Sequence, residues 1–512
     1  KDASIEDGGS GILGTVMVIG AAAVLTWQGC RIGTELYLKR ILPDGAAIPA
    51  NATELAELLA KQNIQGFEGR NVKELAIVLT MYYEDVLSDL GMWYSFTERM
   101  HQLYGRYLPF FDVDEKQYYR DEPNNVDIRF LIWLFISRTE PGYIVSPDTL
   151  AVEYASEVVG ELMDRKFEEM PVNEELKEYF AHPAFENVFT MQRDAQKWFF
   201  FTNYLTCNEH AMDITMQQGM RFSRNMNCPP QLALRVSECV AVYENKLQPL
   251  ALRPNEWLGM LLDYNGAKEE AARVKEQEYL PFDFYKIVEA EHGKGFTLET
   301  LDGKKFHVTD EDMGMPSDDC YSSKTVLSFF VKYGDRYYLG TESSWAPDTK
   351  AFDEERKSRE AQRNQSKDER ENLIADNGGS PLFYFANADK MKSFLKDTVK
   401  MPAQRVETLQ LPKEQNITFT LFVRERDLNI CFYPEVAKFI KDDKNPYYDA
   451  EFAKTNTFAQ LFGMDGDMVR YLVGNDMLPE ATINCEGGEE AGKKIVHDNF
   501  DFLSRMMQGN LY

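Results

Sequence analysis

Glu98 and His101 stand three residues apart in the stretch "SFTERMHQLYGR". On a helix this spacing puts a carboxylate and an imidazole on neighbouring positions, the arrangement by which carboxylate-bridged di-iron bundles hold their metal pair. Such a site needs a second Glu-x-x-His and further acids opposite the first. The other instance runs from Glu289 to His292, beside Gly293, in a stretch that alternates like a strand. At about 100° per residue, the stripe of Trp93, Phe96, Met100, Leu103 and Tyr107 leaves Glu98 roughly 175° from its centre and His101 roughly 115°. Glu98 and His101, the metal-ligand candidates of the chain, are therefore expected to face solvent, and no metal or other cofactor is expected. Glu84 and Asp85 lie more than about 100° from the stripe of the helix before and are expected at the surface too.

Other groups could do different chemistry. Asp121 and Glu122, with Asp127 and Arg129, are candidates for general acid–base work, which needs carboxylates in unequal environments. Their structural reading is that acids at a helix start are favoured by its dipole, with Asn124 or Asn125 as the cap. Cys431, in "NICFYPE", precedes an expected helix whose N-terminus would lower a thiol pKa, but no cysteine-hydrolase signature surrounds it. Lys294, Lys304 and Lys305 form the local basic patch of a β-rich stretch and are the candidates there for binding a peptide or nucleic acid. No nucleophile elbow, phosphate-binding loop, zinc-protease helix or dinucleotide fingerprint occurs.

Helices must position the acids. In "NVKELAIVLTMYYEDVLSDLG" the residues Val72, Leu75, Ala76, Leu79, Tyr82, Tyr83, Val86 and Leu90 follow the 3.6 period, with Gly91 as a stop. The next segment ends before Pro109, and "NNVDIRFLIWLFISRTEP" is apolar on nearly every side, which predicts a central, covered helix. Further helices are expected over 149–170, facing inward through Leu150, Tyr154, Val158, Leu162, Met163 and Phe167, and over 184–206, 230–245 and "RPNEWLGMLLDYNG". At Pro281 the period falls to two, and five short strands in about sixty residues predict a small antiparallel barrel or a strongly bent sheet. The charge-dense stretch 346–380 has almost nothing apolar to bury and predicts an exposed helix or insertion. Beyond it come a strand and helix, two strands with a helix begun by Pro434, and a helical end.

The whole is read as α+β: an apolar N-terminal segment (1–50), a large mainly helical region (51–280), a small antiparallel barrel-like β module (281–345), a charged exposed insertion or linker (346–380), and an α+β C-terminal region (381–512). The 512 residues are 44% hydrophobic and 27% charged, a globular composition. With 56 basic against 83 acidic residues the net charge is −27, which disfavours nucleic acid and anionic membranes as partners. Seven scattered cysteines, none in Cys-x-x-Cys spacing, argue for reduced thiols in a cytoplasmic protein. The uncharged run 11–27 is at the short end for a span and lacks a basic leader; it is read as a buried small-residue helix, with membrane insertion as the alternative.

The segments "YYEDVLSDLGMWYSFTERMHQLYGRYLPFF", "DEPNNVDIRFLIWLF", "DMVRYLVGNDMLPEA" and "NFDFLSRMM" resemble an uncharacterised family of bacterial proteins, common in Bacteroidetes, that carries only a domain-of-unknown-function label. The resemblance runs from about Val72 to the C-terminus and leaves out the first seventy residues. The stretch "FYKIVEAEHGKGFTLETLDGKKFHVTDED" is similar to small barrel modules of other uncharacterised bacterial proteins. Neither likeness implies an activity or a catalytic residue. The expected role is a non-catalytic intracellular interaction or scaffold protein with a protein partner. The alternatives are an enzyme using carboxylates between the helical and β-rich parts, and an acidic mimic of nucleic acid.

Overall fold

The computed structural model describes residues 55–59, 70–114, 116–139, 146–167, 172–181, 189–206, 211–226, 230–341, 343–409, 411–412, 417–424, 429–453, 461, 463–479, 483, 485, 487–509 and 512. The apolar run 11–27 lies outside them. Among the described residues no helix is long and apolar enough to cross a membrane. The chain divides into two compact units: one within 1–135, 150–248 and 252–349, the other within 136–149, 249–251 and 350–512.

After a short helical stretch at 55–59, the first unit continues with α1 (Arg70–Leu87) and α2 (Met92–Tyr104), whose predicted stripes are buried from Val72 to Val86 and from Trp93 to Met100. Between them the chain reverses through Asp89 and Gly91, both with positive φ. Gly91 is required twice over. Its φ is +93°, and a Cβ there would lie 2.0 Å from a ring carbon of Tyr264. In α3 (Asn125–Thr139) every residue from Phe130 to Phe135 is buried, as its all-round apolarity predicts. Phe130 stacks on Phe96 of α2 at 5.3 Å.

The helix α4 (Leu150–Phe167) is turned from its expected face. Val152, Ala155, Val159, Leu162 and Met163 are buried, while Leu150 is 73% exposed and Tyr154 49%. Gly160 and the small or β-branched side admit close packing, with Ile128 at 3.8 Å from the Cβ position of Gly160, and this outweighs the larger side chains. Next in the chain are α5 (Glu174–Ala181), α6 (Phe189–Phe201), α7 (Ala211–Met226), α8 (Pro230–Glu244), α9 (Pro254–Tyr264) and α10 (Lys268–Lys275).

The sheet of this unit holds β1 (Glu278–Glu291), β2 (Gly295–Glu299), β3 (Lys305–Val308), β4 (Thr325–Tyr333), β5 (Arg336–Leu339) and β6 (Ser344–Ala346). All pairings are antiparallel, in the order β3-β2-β1-β4-β5, with β6 also on β4. β1 starts three residues before Pro281, and its register against β4 slips between Leu280 and Asp283, where the proline cannot donate to the ladder. No ladder joins β3 to β5 among the described residues, so the expected barrel is not closed and the sheet is open in its hydrogen bonding. Tyr285, Phe296, Leu298, Phe306, Val326 and Phe330 form one core face. The other face of β4 and β5 meets helices, with Phe329 of β4 against Tyr243 of α8 at 5.8 Å and Tyr338 of β5 stacked on Phe189 of α6 at 4.9 Å.

The second unit contains α11 (Lys350–Asp376), the charged stretch, as a continuous helix with Phe352 and Leu373 buried near its ends. Beyond it lies a three-stranded sheet, β7 (Leu382–Phe385), β8 (Phe419–Val423) and β9 (Ile430–Pro434), in the order β7-β8-β9. With it come α12 (Ala388–Asp397), α13 (Ala403–Glu407), α14 (Gly466–Gly474), α15 (Gly488–Asp498) and α16 (Phe500–Gln508). Pro434 ends a strand instead of opening a helix. Glu435 turns left-handed at φ 62°, and the next residues form a single 3-10 turn, Val436–Phe439.

Candidate functional site

Two carboxylates expected at the surface or at a helix start are among the most buried groups of the first unit. Asp85, near the end of α1, is 2% exposed, and Asp127, in the first turn of α3, is wholly buried. Each is held by three fixed donors. Asp85 accepts the backbone N–H groups of Met92 and Trp93, at 3.0 and 2.7 Å, and the Tyr204 hydroxyl at 2.7 Å. It thereby caps α2, whose own N-cap, Gly91, has no side chain to do so. Asp127 accepts the hydroxyls of Tyr82 and Tyr118, both at 2.7 Å, and the Asn124 amide at 3.2 Å.

Trp93 joins the two halves. Its backbone serves Asp85, and its indole N–H donates to the Tyr118 hydroxyl at 3.2 Å. Tyr82 packs edge-on against Trp93 and Tyr204. Burial pushes the Asp127 carboxyl up to about 7 and Asp85 up to about 6, against the pull of their donors. Burial likewise raises Glu84 to about 7, opposed by the Asn173 amide at 2.9 Å, and raises the Tyr82 and Tyr204 hydroxyls. The helical periodicity that placed Glu84 and Asp85 outside failed because α5 with its preceding turn and the chain at Tyr204 cover that face of α1.

The other acid–base candidates do not gather round Asp127. Asp121 and Glu122 are exposed, and Arg129 is ion-paired with Glu153 at 3.7 Å and lies over the Phe111 ring. Cys431 sits on β9 opposite Phe422, part-buried, so the helix N-terminus meant to activate it is replaced by strand and 3-10 turn. The lysine patch is largely neutralised: Lys294 pairs with Glu291 at 2.7 Å and Lys304 with Glu278, while Lys305 is exposed on β3 opposite Glu299.

Glu98 and His101 take different partners. His101 stacks on Tyr107 at 4.7 Å. Glu98 is only partly exposed, because Arg120 covers it with an ion pair of 2.8 Å. That guanidinium also lies 3.9 Å from the Tyr94 ring centre and 4.6 Å from that of Tyr107, and donates to the Tyr94 hydroxyl at 3.1 Å. Arg120 holds the Glu98 carboxyl below the usual range. Among the described residues no three His, Cys, Asp or Glu side chains form a group that could hold a metal.

Glu98 instead lines a cleft of about 660 Å³ between α2, α9 and α10. The wall from α2 is Tyr94, Ser95, Glu98, Arg99 and Gln102; Met260 and Tyr264 of α9 and Lys268 and Lys275 of α10 face it. Tyr94 and Tyr264 pack at 4.7 Å, each already covered on its second side, by Arg120 and by Gly91. Gly259 allows Lys275 to lie flat across α9, since a Cβ there would be 2.4 Å from its Cγ. Sequence reasoning passed over Arg99, Arg120, Tyr118, Tyr204, Lys268 and Lys275. One signal was present: an acid seven residues before Met92, across a Gly-containing turn, is placed to cap the next helix.

The site and elements define an α+β protein with a buried aspartate–tyrosine network beneath an open helical cleft. The chain belongs to the family described as Protein of unknown function (DUF3843), whose model matches residues 39–286 and 337–508. The match begins at 39, inside the segment that the sequence resemblance left out. It spans every residue of the network and the cleft, and passes over 287–336, which hold the end of β1, all of β2, β3 and β4, and the first residue of β5. No curated protein and no solved structure matches the chain.

Proposed function

We propose that this protein acts by binding rather than by catalysis, in an interaction or scaffold role exercised through the cleft between α2, α9 and α10. One observation carries the reading. Of Glu84, Glu98, Asp121, Asp127 and His101, the groups an enzyme of this chain would use, only Glu98 lines the cleft, and Arg120 holds it. A general acid or base must offer its proton to a substrate within hydrogen-bond reach. Asp85 and Asp127 spend their oxygens on donors of the fold, and neither lines the cleft. Their work is to lock α1, α2 and α3 together and so fix one cleft wall, as buried networks do when every member is satisfied. A cleft of this volume is of the size that encloses a small molecule or a short peptide stretch.

The test is a thermal-shift screen of the full chain against a metabolite and peptide library, repeated on Met260→Trp, which fills the cleft. Ligands that raise the melting temperature of the parent protein and not of the variant support binding there. Turnover of any screened compound that Asp127→Asn abolishes, with the fold retained by circular dichroism, overturns the reading.

A further inference from the structure

We infer that the ligand of the cleft is a small organic anion, held by Arg99 and Lys268, with the Ser95 hydroxyl turning about χ1 to donate to it; this rests on the binding reading above. The lining carries three acids and three bases, but they are not equivalent. Glu98 is engaged by Arg120 at 2.8 Å and by the Gln102 amide at 3.3 Å. Glu256 accepts the backbone N–H of Arg253 at 2.8 Å, closing the cap of α9. Asp263 stands 3.8 Å from Lys275. The acids are thus spoken for within the fold. Among the described residues neither Arg99 nor Lys268 is paired with a carboxylate, and the Arg99 guanidinium donates to the neutral Gln102 oxygen at 3.2 Å.

Arg120, behind the wall, is spent on Glu98. The lining is balanced in number, and on a chain of net charge −27 its two cations without a carboxylate partner set the cleft apart from the field of the whole molecule. The second observation is independent of charge. Ser95 is 5% exposed and lines the cleft, and its hydroxyl, closed off in the rotamer present, has no hydrogen-bond partner. A buried hydroxyl without a partner costs stability that a ligand oxygen restores. Arg99 and Ser95 lie on consecutive turns of α2, so one anionic group can meet both. Met260 and the edges of the Tyr94–Tyr264 pair supply an apolar side for the organic body. A cationic ligand would find each acid of the lining already engaged.

The probe is 8-anilinonaphthalene-1-sulfonate, compared with neutral N-phenyl-1-naphthylamine, on the full-length chain by fluorescence titration. The sulfonate is expected to bind about tenfold or more tighter than the neutral analogue, and Arg99→Gln with Lys268→Gln is expected to remove that advantage. Ser95→Ala should weaken the sulfonate about fivefold, and Lys390→Gln, on α12, should leave it unchanged. Displacement by phenyl phosphate in preference to benzoate assigns a phosphate ester, the reverse assigns a carboxylate, and displacement by neither overturns the proposal. Should both probes bind equally and both be lost in Met260→Trp, the cleft stands as a binding site and the anion assignment falls. Should neither bind, both readings fall.

Discussion

Asp127 and Glu98 are carboxylates on neighbouring helices of one unit, and their environments are opposite. Asp127 is wholly buried and takes three hydrogen bonds from neutral donors, with no cation among them. Glu98 has a side chain 37% exposed and rests against a guanidinium. Desolvation governs the first and raises its pKa, whereas a charged partner in solvent governs the second and lowers it. The difference teaches that acidity and position in a sequence do not mark a working carboxylate. The more perturbed group is the one built into the fold, and the less perturbed one faces the cleft.

The comparison breaks most sharply at Asp127→Ala. Two tyrosine hydroxyls and an amide lose their acceptor in a closed interior, and the expected cost is about 3 kcal/mol or more, read as a lower urea midpoint at unchanged slope. A cost under about 1 kcal/mol would show that the network is rearranged or wet. Next comes Gly91→Ala, which forces a Cβ into the Tyr264 ring at positive φ. It is expected to cost about 2 kcal/mol and to weaken probe binding in the cleft, because Tyr264 lines it.

The pH dependence sharpens the same contrast. Asp127 near 7, Glu84 near 7 and Asp85 near 6 all stand above their unfolded values, close to 4. Between about pH 4 and 7 the folded state therefore binds more protons than the unfolded one, so these groups favour folding on acidification and lose that contribution as pH rises through 6 and 7. The melting temperature is expected to be higher at pH 5.5 than at pH 8, and Asp127→Asn should flatten the slope; a midpoint that falls steadily from pH 8 to 5.5 would contradict it. The smallest effect belongs to Glu98→Gln. A half-exposed ion pair contributes about 0.5 kcal/mol or less, whereas Arg120→Ala, which also strips the Tyr94 and Tyr107 faces, is expected to cost about 1 kcal/mol.

Much of the architecture was legible. The stripes of α1 and α2, the all-round burial of α3, the proline-started α9 and the change to strands near Pro281 follow from periodicity and from residues that start or stop helices. Where periodicity misled, tertiary packing had overridden it. On α4 the small side went inward and left Leu150 and Tyr154 exposed, and on α1 a second layer of chain covered Glu84 and Asp85. Helical periodicity finds the face with most apolar residues, but it is silent on whether the opposite face is also covered.

The candidate site was far less legible, because its groups come from places distant in the chain. Arg120 reaches Glu98 across 22 residues, Tyr204 reaches Asp85 across 119, and Tyr264 reaches Asp89 across 175. By itself the sequence determined an acidic α+β chain of packed amphipathic helices followed by antiparallel strands, since local propensity and the period of apolar residues act over a few turns. Only the tertiary structure decided which carboxylates are buried among donors of the fold and which wall a cleft. That is set by desolvation and by donors brought from remote helices, and neither is written in the spacing of neighbouring residues.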